Sequence, residues 1–365
     1  MIARTLDIAG TAPPGSDSVR DRRIQRYEEL LRPRALLDEL ALTGEQTDTV
    51  LRGRAQTHAV IDGQDDRLLV VVGPCSVHDP QATLDYARRL AERSRTWRED
   101  LQVTMRVYFE KPRTTTGWKG LINDPRLDDS GDVNTGLRTA RRVLLGVLSA
   151  GLPVGCEFLD PLIPQYISDA VCWGAIGART VESQTHRQLG SGLSMPVGFK
   201  NRTDGNVQVA ADALRAAAVP QAFAGINVDG VPAVMYTRGN PDCHIILRGG
   251  RDATNYDADS VAGALAVLRT AGLPERVMID CSHDNSGKDP FRQPLVAEAV
   301  GRQLGQGSRA IIGVMLESFL LAGRQELGQG ELRYGQSITD GCLDWETTIE
   351  VLDGLAAAVR ARRGA

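Results

Sequence analysis

The sequence predicts a (β/α)8 TIM barrel, and two observations support that fold class. Eight short apolar segments, each typical of a β-strand, alternate with longer segments of helical periodicity between residues 68 and 360. Several of the short segments are apolar throughout, which is typical of a parallel sheet covered on both faces. A doubly wound open sheet is the rival fold, but no GxGxxG or Walker motif follows any of the predicted strands.

Two helices are predicted before the first strand. The first is expected over residues 21–42, on a leucine pattern that is interrupted at Pro33. The second is expected to begin at the capping box Thr43-x-x-Gln46 and to continue to about Val60. We therefore divide the chain into an N-terminal helical extension, residues 1–67, and a barrel, residues 68–365.

The strand–helix units then follow in order, each helix bounded by its own start and stop residues. Asp79 is expected to cap the first helix, which begins at Pro80, and Gly151 is expected to end the second. The strands are predicted at residues 68–73, 103–109, 153–158, 174–179, 196–200, 243–248, 276–281 and 310–316. The helices after the first are predicted at residues 134–150, 164–173, 182–189, 206–218, 257–271, 290–304 and 344–360.

Residues 221–239 interrupt this alternation. Two apolar runs, residues 222–228 and 231–236, flank the dipeptide Asp229-Gly230, which is a strong signal for a hairpin turn. The sequence therefore predicts a β-hairpin inserted between the fifth helix of the barrel and the sixth strand.

Composition and charge narrow the functional class. The formal net charge of −4 argues against nucleic-acid binding. No apolar run approaches the length of a membrane span, and residues 1–20 lack the apolar core of a secretion signal. The six cysteines include no CxxC pair, so we expect reduced thiols in a cytoplasmic protein.

Charged residues gather at the predicted carboxyl ends of the strands, where barrel enzymes place their active sites. Six of them are cations, and so many cations in one cavity are tolerable only with anions to neutralise them. They predict a substrate that carries several negative charges, such as phosphate and carboxylate groups. The cations are Arg106, Lys111, Arg113, Arg179, Lys200 and Arg248.

A second group at the strand ends combines a thiol, an imidazole and two carboxylates. Such a mixed donor set suits a divalent transition metal. Taken singly, Cys75 fits a small buried hydrophobic residue and His283 fits a hydrogen-bonded loop histidine, so the metal prediction depends on the barrel. The four candidate ligands are Cys75, His283, Glu317 and Asp340.

Several segments resemble the type I 3-deoxy-D-arabino-heptulosonate-7-phosphate (DAHP) synthases. The longest of them is Arg-Val-Tyr-Phe-Glu-Lys-Pro-Arg-Thr-Thr-x-Gly-Trp-Lys-Gly, which begins at Arg106. Gly-Pro-Cys-Ser, Gly-Ala-Arg-Thr-x-Glu-Ser-Gln, Gly-Phe-Lys-Asn, His-Ile-Ile-Leu-Arg-Gly-Gly, Ser-His-x-Asn-Ser and Ser-Ile-Thr-Asp also match, in the same order. The resemblance implies a metal-dependent barrel that condenses phosphoenolpyruvate with erythrose 4-phosphate at the entry to the shikimate pathway.

The resemblance also implies roles for individual residues. It places one divalent metal ion (Mn²⁺, Fe²⁺, Co²⁺ or Zn²⁺) on the four candidate ligands and an active-site carboxylate at Glu157. It assigns Lys111, Cys75, His283 and Glu157 to catalysis, and Lys111 could donate a proton or hold charge. Phosphoenolpyruvate would bind Arg106, Lys111, Arg179, Lys200 and Arg248, and the sugar phosphate would bind Arg113 and Thr114.

Feedback inhibition by an aromatic amino acid is a further expectation from the resemblance. Gly225 leaves room for a phenolic hydroxyl, which favours tyrosine as the effector. A homodimer or homotetramer is expected because the apolar face of the extension needs a partner. The regulatory residues implied by the resemblance are Pro164, Gln165, Gly192, Leu193, Ser194, Phe223 and Gly225.

Other functions remain open at the level of sequence. Cys281, Phe319, Asp284 and Arg202 depart from the expected family pattern, which would fit a paralogue that serves secondary metabolism. A related octulosonate synthase, or another metal-assisted aldolase, is the enzymatic rival. A catalytically silent barrel that senses aromatic metabolites is the rival from another class, although none of the expected ligands is missing.

Overall fold

The protein is a closed parallel barrel surrounded by helices, which confirms the predicted fold class. The computed structural model describes residues 21–328 and 330–364. Its strands are β1 Leu68–Gly73, β2 Leu101–Arg106, β3 Val154–Glu157, β4 Trp173–Ile176, β5 Val197–Lys200, β6 Ala222–Ile226, β7 Pro232–Tyr236, β8 Cys243–Leu247, β9 Val277–Asp280 and β10 Ile311–Glu317. Around the barrel the order is β1-β2-β3-β4-β5-β8-β9-β10, and β10 pairs with β1 to close the sheet.

The helices follow the strands as a (β/α)8 fold requires. They are α1 Pro33–Glu39, α2 Gly44–Asp62, α3 Pro80–Ser94, α4 Val133–Ser149, α5 Pro164–Ile167, α6 Gln184–Gly192, α7 Gln208–Ala217, α8 Ala258–Thr270, α9 Gln293–Gly305 and α10 Trp345–Gly364. The Asp79 side chain accepts a hydrogen bond from the Ala82 backbone N–H, so this predicted cap is confirmed.

The period-two alternation of side chains sorts each barrel strand into two faces. In β1, Leu69 and Val71 lie in the cluster that fills the barrel, whereas Leu68, Val70 and Val72 pack against the surrounding helices. The strands are therefore buried on both faces, which explains why β1 is apolar at nearly every position.

The extension closes one end of the barrel. The capping box at the start of α2 has both of its hydrogen bonds, between Thr43 and Gln46. At the other end of this helix, Val60 and Ile61 belong to the same cluster as the side chains inside the barrel. These two residues lie beside the beginnings of the strands, so the carboxyl ends remain available for a site.

The predicted helix over residues 21–42 is wrong in its first half. Residues 24–32 are not helical, and Arg32 is extended at φ −70° and ψ 139°. A residue before proline avoids the helical region, so the helix begins only at Pro33. Residues 1–20 of the predicted extension lie outside the described residues.

Two barrel segments also differ from prediction. The helix predicted over residues 164–173 is the four-residue α5 followed by a 3-10 turn at Ser168–Ala170. Trp173 already begins β4, and that strand ends at Ile176 rather than at residue 179. The second strand occupies Leu101–Arg106 rather than residues 103–109, because only Met105 and Arg106 pair with β3.

The predicted insertion is confirmed as an antiparallel pair. Strands β6 and β7 form a separate two-stranded sheet, in which Ala222 pairs with Tyr236 at one end and Ile226 pairs with Pro232 at the other. The turn is held against α1, where the backbone N–H of Arg34 donates to Val228 and its guanidinium pairs with Asp229.

Candidate active site

The loop after β1 places Cys75 under the mouth of the barrel. Its side chain is fully buried, and its backbone N–H lies 3.4 Å from the Cys342 sulfur. Burial, followed by the charge of Glu317, raises the pKa of the Cys75 thiol, and Lys111 opposes that rise. The Lys111 Nζ lies 3.0 Å from Sγ and 3.2 Å from the Cys75 carbonyl oxygen.

Arg106 ends β2 and points into the barrel. It is 1% exposed, and its guanidinium donates to the carboxylate of Glu317 at 2.9 Å and to the carbonyl of Cys75 at 3.2 Å. The ring of Tyr108 lies 3.6 Å from the guanidinium carbon, as in a cation–π contact. A charge inside an apolar strand needs such partners, and Glu317 is the acidic one.

The loop after β2 turns back on itself because of a glycine. The backbone N–H of Lys111 donates to the carbonyl of Lys119 at 2.9 Å. Gly120 has a φ of +114°, and a Cβ at this position would lie 1.9 Å from the Phe109 carbonyl oxygen, so another residue would not fit. Arg113 and Thr114 lie at the exposed tip of this loop.

Three of the four candidate metal ligands meet in the structure. One donor atom from each of Cys75, Glu317 and Asp340 lies within 4.8 Å of the other two. His283 lies beside this group, with its Nε2 3.8 Å from a Glu317 oxygen. At the end of β10 the Gln293 side chain accepts from the N–H of Glu317 and donates to its carbonyl, which fixes the backbone of this candidate ligand.

Sequence reasoning missed Asp280, a buried carboxylate at the end of β9. Its Oδ2 lies 2.7 Å from the Nδ1 of His283 and 3.5 Å from the Nζ of Lys200. A carboxylate on one ring nitrogen of a histidine commonly orients the other nitrogen toward a metal. The signal that could have found it is an aspartate inside an apolar strand, three residues before His283.

Lys200 and Glu157 form the opposite side of the mouth. The Lys200 Nζ lies 3.8 Å from a Glu157 oxygen, and both side chains are buried. Burial alone raises the pKa of Glu157, but the cations Lys200, Lys111 and Arg106 outweigh burial and lower that pKa. The three neighbouring cations therefore hold Glu157 in its charged form.

Arg248 lies at the end of β8, next to a second acid that was not predicted as a partner. Its guanidinium pairs with Asp284, and its backbone N–H donates to the Asn201 side chain at 2.8 Å. Asp284 is one of the departures from the family pattern. Of the other departures, Cys281 and Phe319 are buried, and Arg202 pairs with Asp204 and Glu182.

Arg179 lies three residues beyond the end of β4 and is exposed. Its guanidinium reaches across to the loop after β2, where it lies 3.4 Å from the Thr114 hydroxyl and 3.5 Å from the Pro112 carbonyl. This contact joins the two predicted anion sites along one rim.

One cavity collects most of the predicted site residues. All six predicted cations line it, together with Glu157, His283 and Asp340, while Cys75 and Glu317 are buried beside them. Thr114 is not among its lining residues. Lys288 and Thr203 also line the cavity and were missed, because neither ends a predicted strand.

The predicted regulatory residues are only partly gathered. A cleft between the hairpin, α5 and α6 is lined by three of them, Gln165, Gly192 and Leu193. Met235 of β7 and Thr237, which directly follows β7, also line this cleft. Pro164, Ser194, Phe223 and Gly225 are not among its lining residues. A Cβ on Gly225 would lie 2.6 Å from the Met235 sulfur, so Gly225 borders the cleft through Met235.

The closed barrel and its cation-lined mouth define an α/β-barrel protein with a site for anionic substrates beside a candidate metal group. The chain matches the DAHP synthetase I family over residues 44–353 and belongs to that family. The family resemblance seen in the sequence is thereby confirmed.

Named relatives agree with this assignment. The chain is 53% identical to a phospho-2-dehydro-3-deoxyheptonate aldolase of Corynebacterium glutamicum, over 95% of this chain and 96% of the relative. It is 53% identical to the Phe-sensitive aldolase of Escherichia coli, over 94% of this chain and 98% of the relative. It is 48% identical to the tyrosine-inhibited aldolase of Candida albicans, over 94% of this chain and 95% of the relative.

A solved structure of the aldolase from Francisella tularensis superposes with a TM-score of 0.92 at 47% identity, covering 93% of this chain and all of that chain. Within residues 21–328 and 330–364, no helix combines the length and apolarity needed to cross a bilayer.

A buried acid next to this site gives a first testable prediction. Glu110 accepts hydrogen bonds from the backbone N–H groups of Leu159 and Asp160, at 3.3 and 3.2 Å, and so joins the loops after β2 and β3. Burial raises its pKa to about 8, although the two hydrogen bonds partly offset that rise. The folded protein thus holds the Glu110 proton more tightly than the unfolded chain, in which a glutamate has a pKa of about 4.3.

The stability that this proton contributes is fully present below about pH 4 and is lost as the pH rises through about 8. In the wild-type protein the free energy of unfolding should therefore decrease between pH 5 and pH 8. In Glu110→Gln this decrease should be smaller, by up to about 4 kcal/mol. Urea unfolding at both pH values measures this change, with the exposed Glu92→Gln on α3 as a control. An unaltered pH dependence in Glu110→Gln would contradict the burial argument.

Proposed function

We propose that this chain condenses phosphoenolpyruvate with D-erythrose 4-phosphate and water to give DAHP and phosphate, the first step of the shikimate pathway. The observation that carries this proposal is the convergence of six cations on one cavity that lies beside a thiol–carboxylate group. The family assignment and the named aldolases support the same reaction.

The buried cations suit phosphoenolpyruvate, the smaller and more densely charged substrate. Arg106, Lys200 and Arg248 are almost fully buried, so their charges act in a medium of low dielectric constant. Lys111 and Arg179 extend this set toward the loop after β2. A substrate phosphate and carboxylate would neutralise the set, which relieves the repulsion among the cations.

The sugar phosphate would bind at the exposed rim. Arg113 donates through Nε to the Trp118 carbonyl at 2.8 Å, which leaves the outer nitrogens of its guanidinium free of that contact. Thr114 adds a hydroxyl on the same loop. Holding both anionic substrates in one cavity converts their encounter into an intramolecular step, worth up to about 7–11 kcal/mol when the alignment is ideal.

The donor set fits one divalent transition metal ion. Cys75, Glu317 and Asp340 would hold it, with His283 presenting Nε2 from beside the group while Asp280 fixes the opposite nitrogen. When bound, such an ion supplies Lewis acidity toward an aldehyde oxygen.

The chain's own residues would handle the remaining chemistry. A carbon–carbon bond forms between the methylene carbon of the enolpyruvate and the aldehyde carbon of the sugar, the C=O π bond opens, and the aldehyde oxygen takes up a proton. Water adds to the former enol carbon, and phosphate then leaves from that carbon. Glu157, kept charged by Lys200 and Lys111, is placed to take a proton from the water. Lys111 fits either of two roles, donating a proton or holding negative charge.

Phosphate release tests this function directly. Wild-type protein should release phosphate only when both substrates are present, and a chelator should stop the reaction. His283→Ala should lose the activity and retain less metal by elemental analysis, while its circular dichroism is unchanged. Full turnover of His283→Ala after exhaustive chelation would reject the metal assignment.

The same assay separates the rival functions. Faster turnover with arabinose 5-phosphate than with erythrose 4-phosphate would indicate an octulosonate synthase. Calorimetric binding of an aromatic amino acid or phosphoenolpyruvate without any turnover would indicate a sensing barrel. A paralogue of secondary metabolism, which the departures at Asp284 and Phe319 would fit, would turn over erythrose 4-phosphate as well.

We also propose that an aromatic amino acid regulates the enzyme by binding in the cleft between the hairpin and α6. The sequence favours tyrosine on the room left by Gly225, but in the structure the Met235 sulfur would lie 2.6 Å from a Cβ at that position, so the space is already filled and the structure does not support that choice of effector. The names of the Escherichia coli and Candida albicans relatives, Phe-sensitive and tyrosine-inhibited, support regulation of this kind. We propose a homodimer or homotetramer, in which the exposed Val234 and Tyr236 of the hairpin would be covered.

A further inference from the structure

Lys288 occupies a backbone conformation that lysine rarely adopts. Its φ is +61°, in the left-handed region, where the Cβ of an ordinary residue crowds its own backbone. It directly follows Gly287, which has a φ of +62°. Among the described residues other than glycine, only Asp21, Leu127 and Asp129 share this region.

The turn itself does not require a lysine. The backbone N–H of Lys288 donates to the His283 carbonyl at 2.8 Å, and Gly287 donates to the Asp284 carbonyl at 3.1 Å. Both bonds involve main-chain atoms alone, so a glycine at position 288 would make them with less strain. A non-glycine residue held in such a conformation points to a role for its side chain.

The Lys288 side chain lies in the cavity described above. It lines the mouth, is 46% exposed, and has its Nζ 4.0 Å from an oxygen of Asp340. This distance allows a weak ion pair and leaves the ammonium donors available for another acceptor.

Two kinds of cation therefore surround the cavity. Arg106, Lys200 and Arg248 are buried and paired with acids, whereas Lys288 and Arg113 reach it from the exposed rim. A flexible, hydrated ammonium at a rim suits the end of a substrate that stays near solvent. In the proposed reaction that end is the phosphate of the sugar, because the aldehyde at its other end must reach the enolpyruvate.

We propose that Lys288 binds the phosphate group of the aldose phosphate, as a second cation beside Arg113. This inference rests on the proposed function. It adds a residue from the loop after β9 to a subsite that the family resemblance places only on the loop after β2.

Three variants at this position test the proposal by steady-state kinetics with each substrate varied in turn. Lys288→Met removes the charge and should raise the KM for erythrose 4-phosphate about tenfold or more, the loss expected for one charged hydrogen bond. The KM for phosphoenolpyruvate should stay within about twofold, because that substrate meets the buried cations. Lys288→Arg should restore most of the lost affinity.

Lys288→Gly separates binding from folding. It should raise the melting temperature, because strain is relieved, and yet raise the KM for erythrose 4-phosphate as Lys288→Met does. Asp129→Gly is the matched control, since it relieves the same backbone conformation at an exposed loop and should leave both KM values unchanged.

A wild-type KM for erythrose 4-phosphate in Lys288→Gly and Lys288→Met would overturn the inference. So would an equal rise in both KM values, which would indicate a general effect on the cavity. Wild-type protein that releases no phosphate from the two substrates would instead overturn the proposed function, so the two failures are distinguishable.

Discussion

Cys75→Ala should abolish phosphate release and metal retention while leaving the barrel folded. The Cys75 sulfur is the one soft donor in a proposed set that otherwise consists of two carboxylates and an imidazole, and a thiolate favours tight binding of a transition metal. Removing a residue that hydrogen-bonds to a metal ligand typically lowers metal affinity or activity about 10–100-fold. Removing a ligand itself should therefore lower both by more than that. Elemental analysis, circular dichroism and the phosphate assay together measure the result.

The control for this variant is another buried cysteine. Cys172 is as buried as Cys75, but it packs against Gly53 of α2 rather than in the cavity. Cys172→Ala should therefore keep its metal and its rate. A Cys75→Ala protein with one metal ion per chain and wild-type turnover would contradict the proposed site.

Arg106→Leu should destabilise the protein as well as inactivate it. Arg106 and Glu317 are each only 1% exposed, so removing the cation leaves a carboxylate buried without its partner. Breaking a buried pair in this way costs about 3–5 kcal/mol. The free energy of unfolding of the metal-free protein, measured with urea, should fall by that amount.

A double variant shows whether the loss comes from the unpaired charge. Arg106→Leu combined with Glu317→Leu removes both charges, and should be less destabilised than the sum of the two single variants. Arg141→Leu is the control, because Arg141 is equally buried and pairs with Asp169 outside the cavity. It should lose stability without altering either KM. Additive losses for Arg106 and Glu317 would mean that the pair has no net coupling.

Much of the fold was predictable because its rules are local. Continuous apolar runs mark the buried strands, and the capping box at Thr43 and the Asp229-Gly230 turn fix the ends of their elements. The helix predicted before Pro33 failed where a leucine pattern conflicted with the conformation that proline imposes on Arg32. That segment is instead held by tertiary contacts, such as the Asn134 side chain with the Leu31 N–H.

The residues of the candidate site were predictable where they lie at, or directly after, the carboxyl end of a predicted strand. The barrel carries Cys75, Arg106, Glu317 and Lys200 to one mouth whatever their spacing in the sequence. Asp280 ends β9 but lies one residue before the end of the predicted strand, and Lys288 lies late in a loop, so the predicted strand ends did not include them. Their partners, His283 and Asp340, become apparent only from three-dimensional distances.

Titration of the metal-free protein with Co²⁺ tests the central claim most directly, because thiolate ligation gives an intense charge-transfer absorption. One equivalent of Co²⁺ should saturate this band in the wild-type protein, and the band should be absent in Cys75→Ala. Wild-type protein that turns over both substrates with Co²⁺ but shows no thiolate band would contradict a metal site built on Cys75.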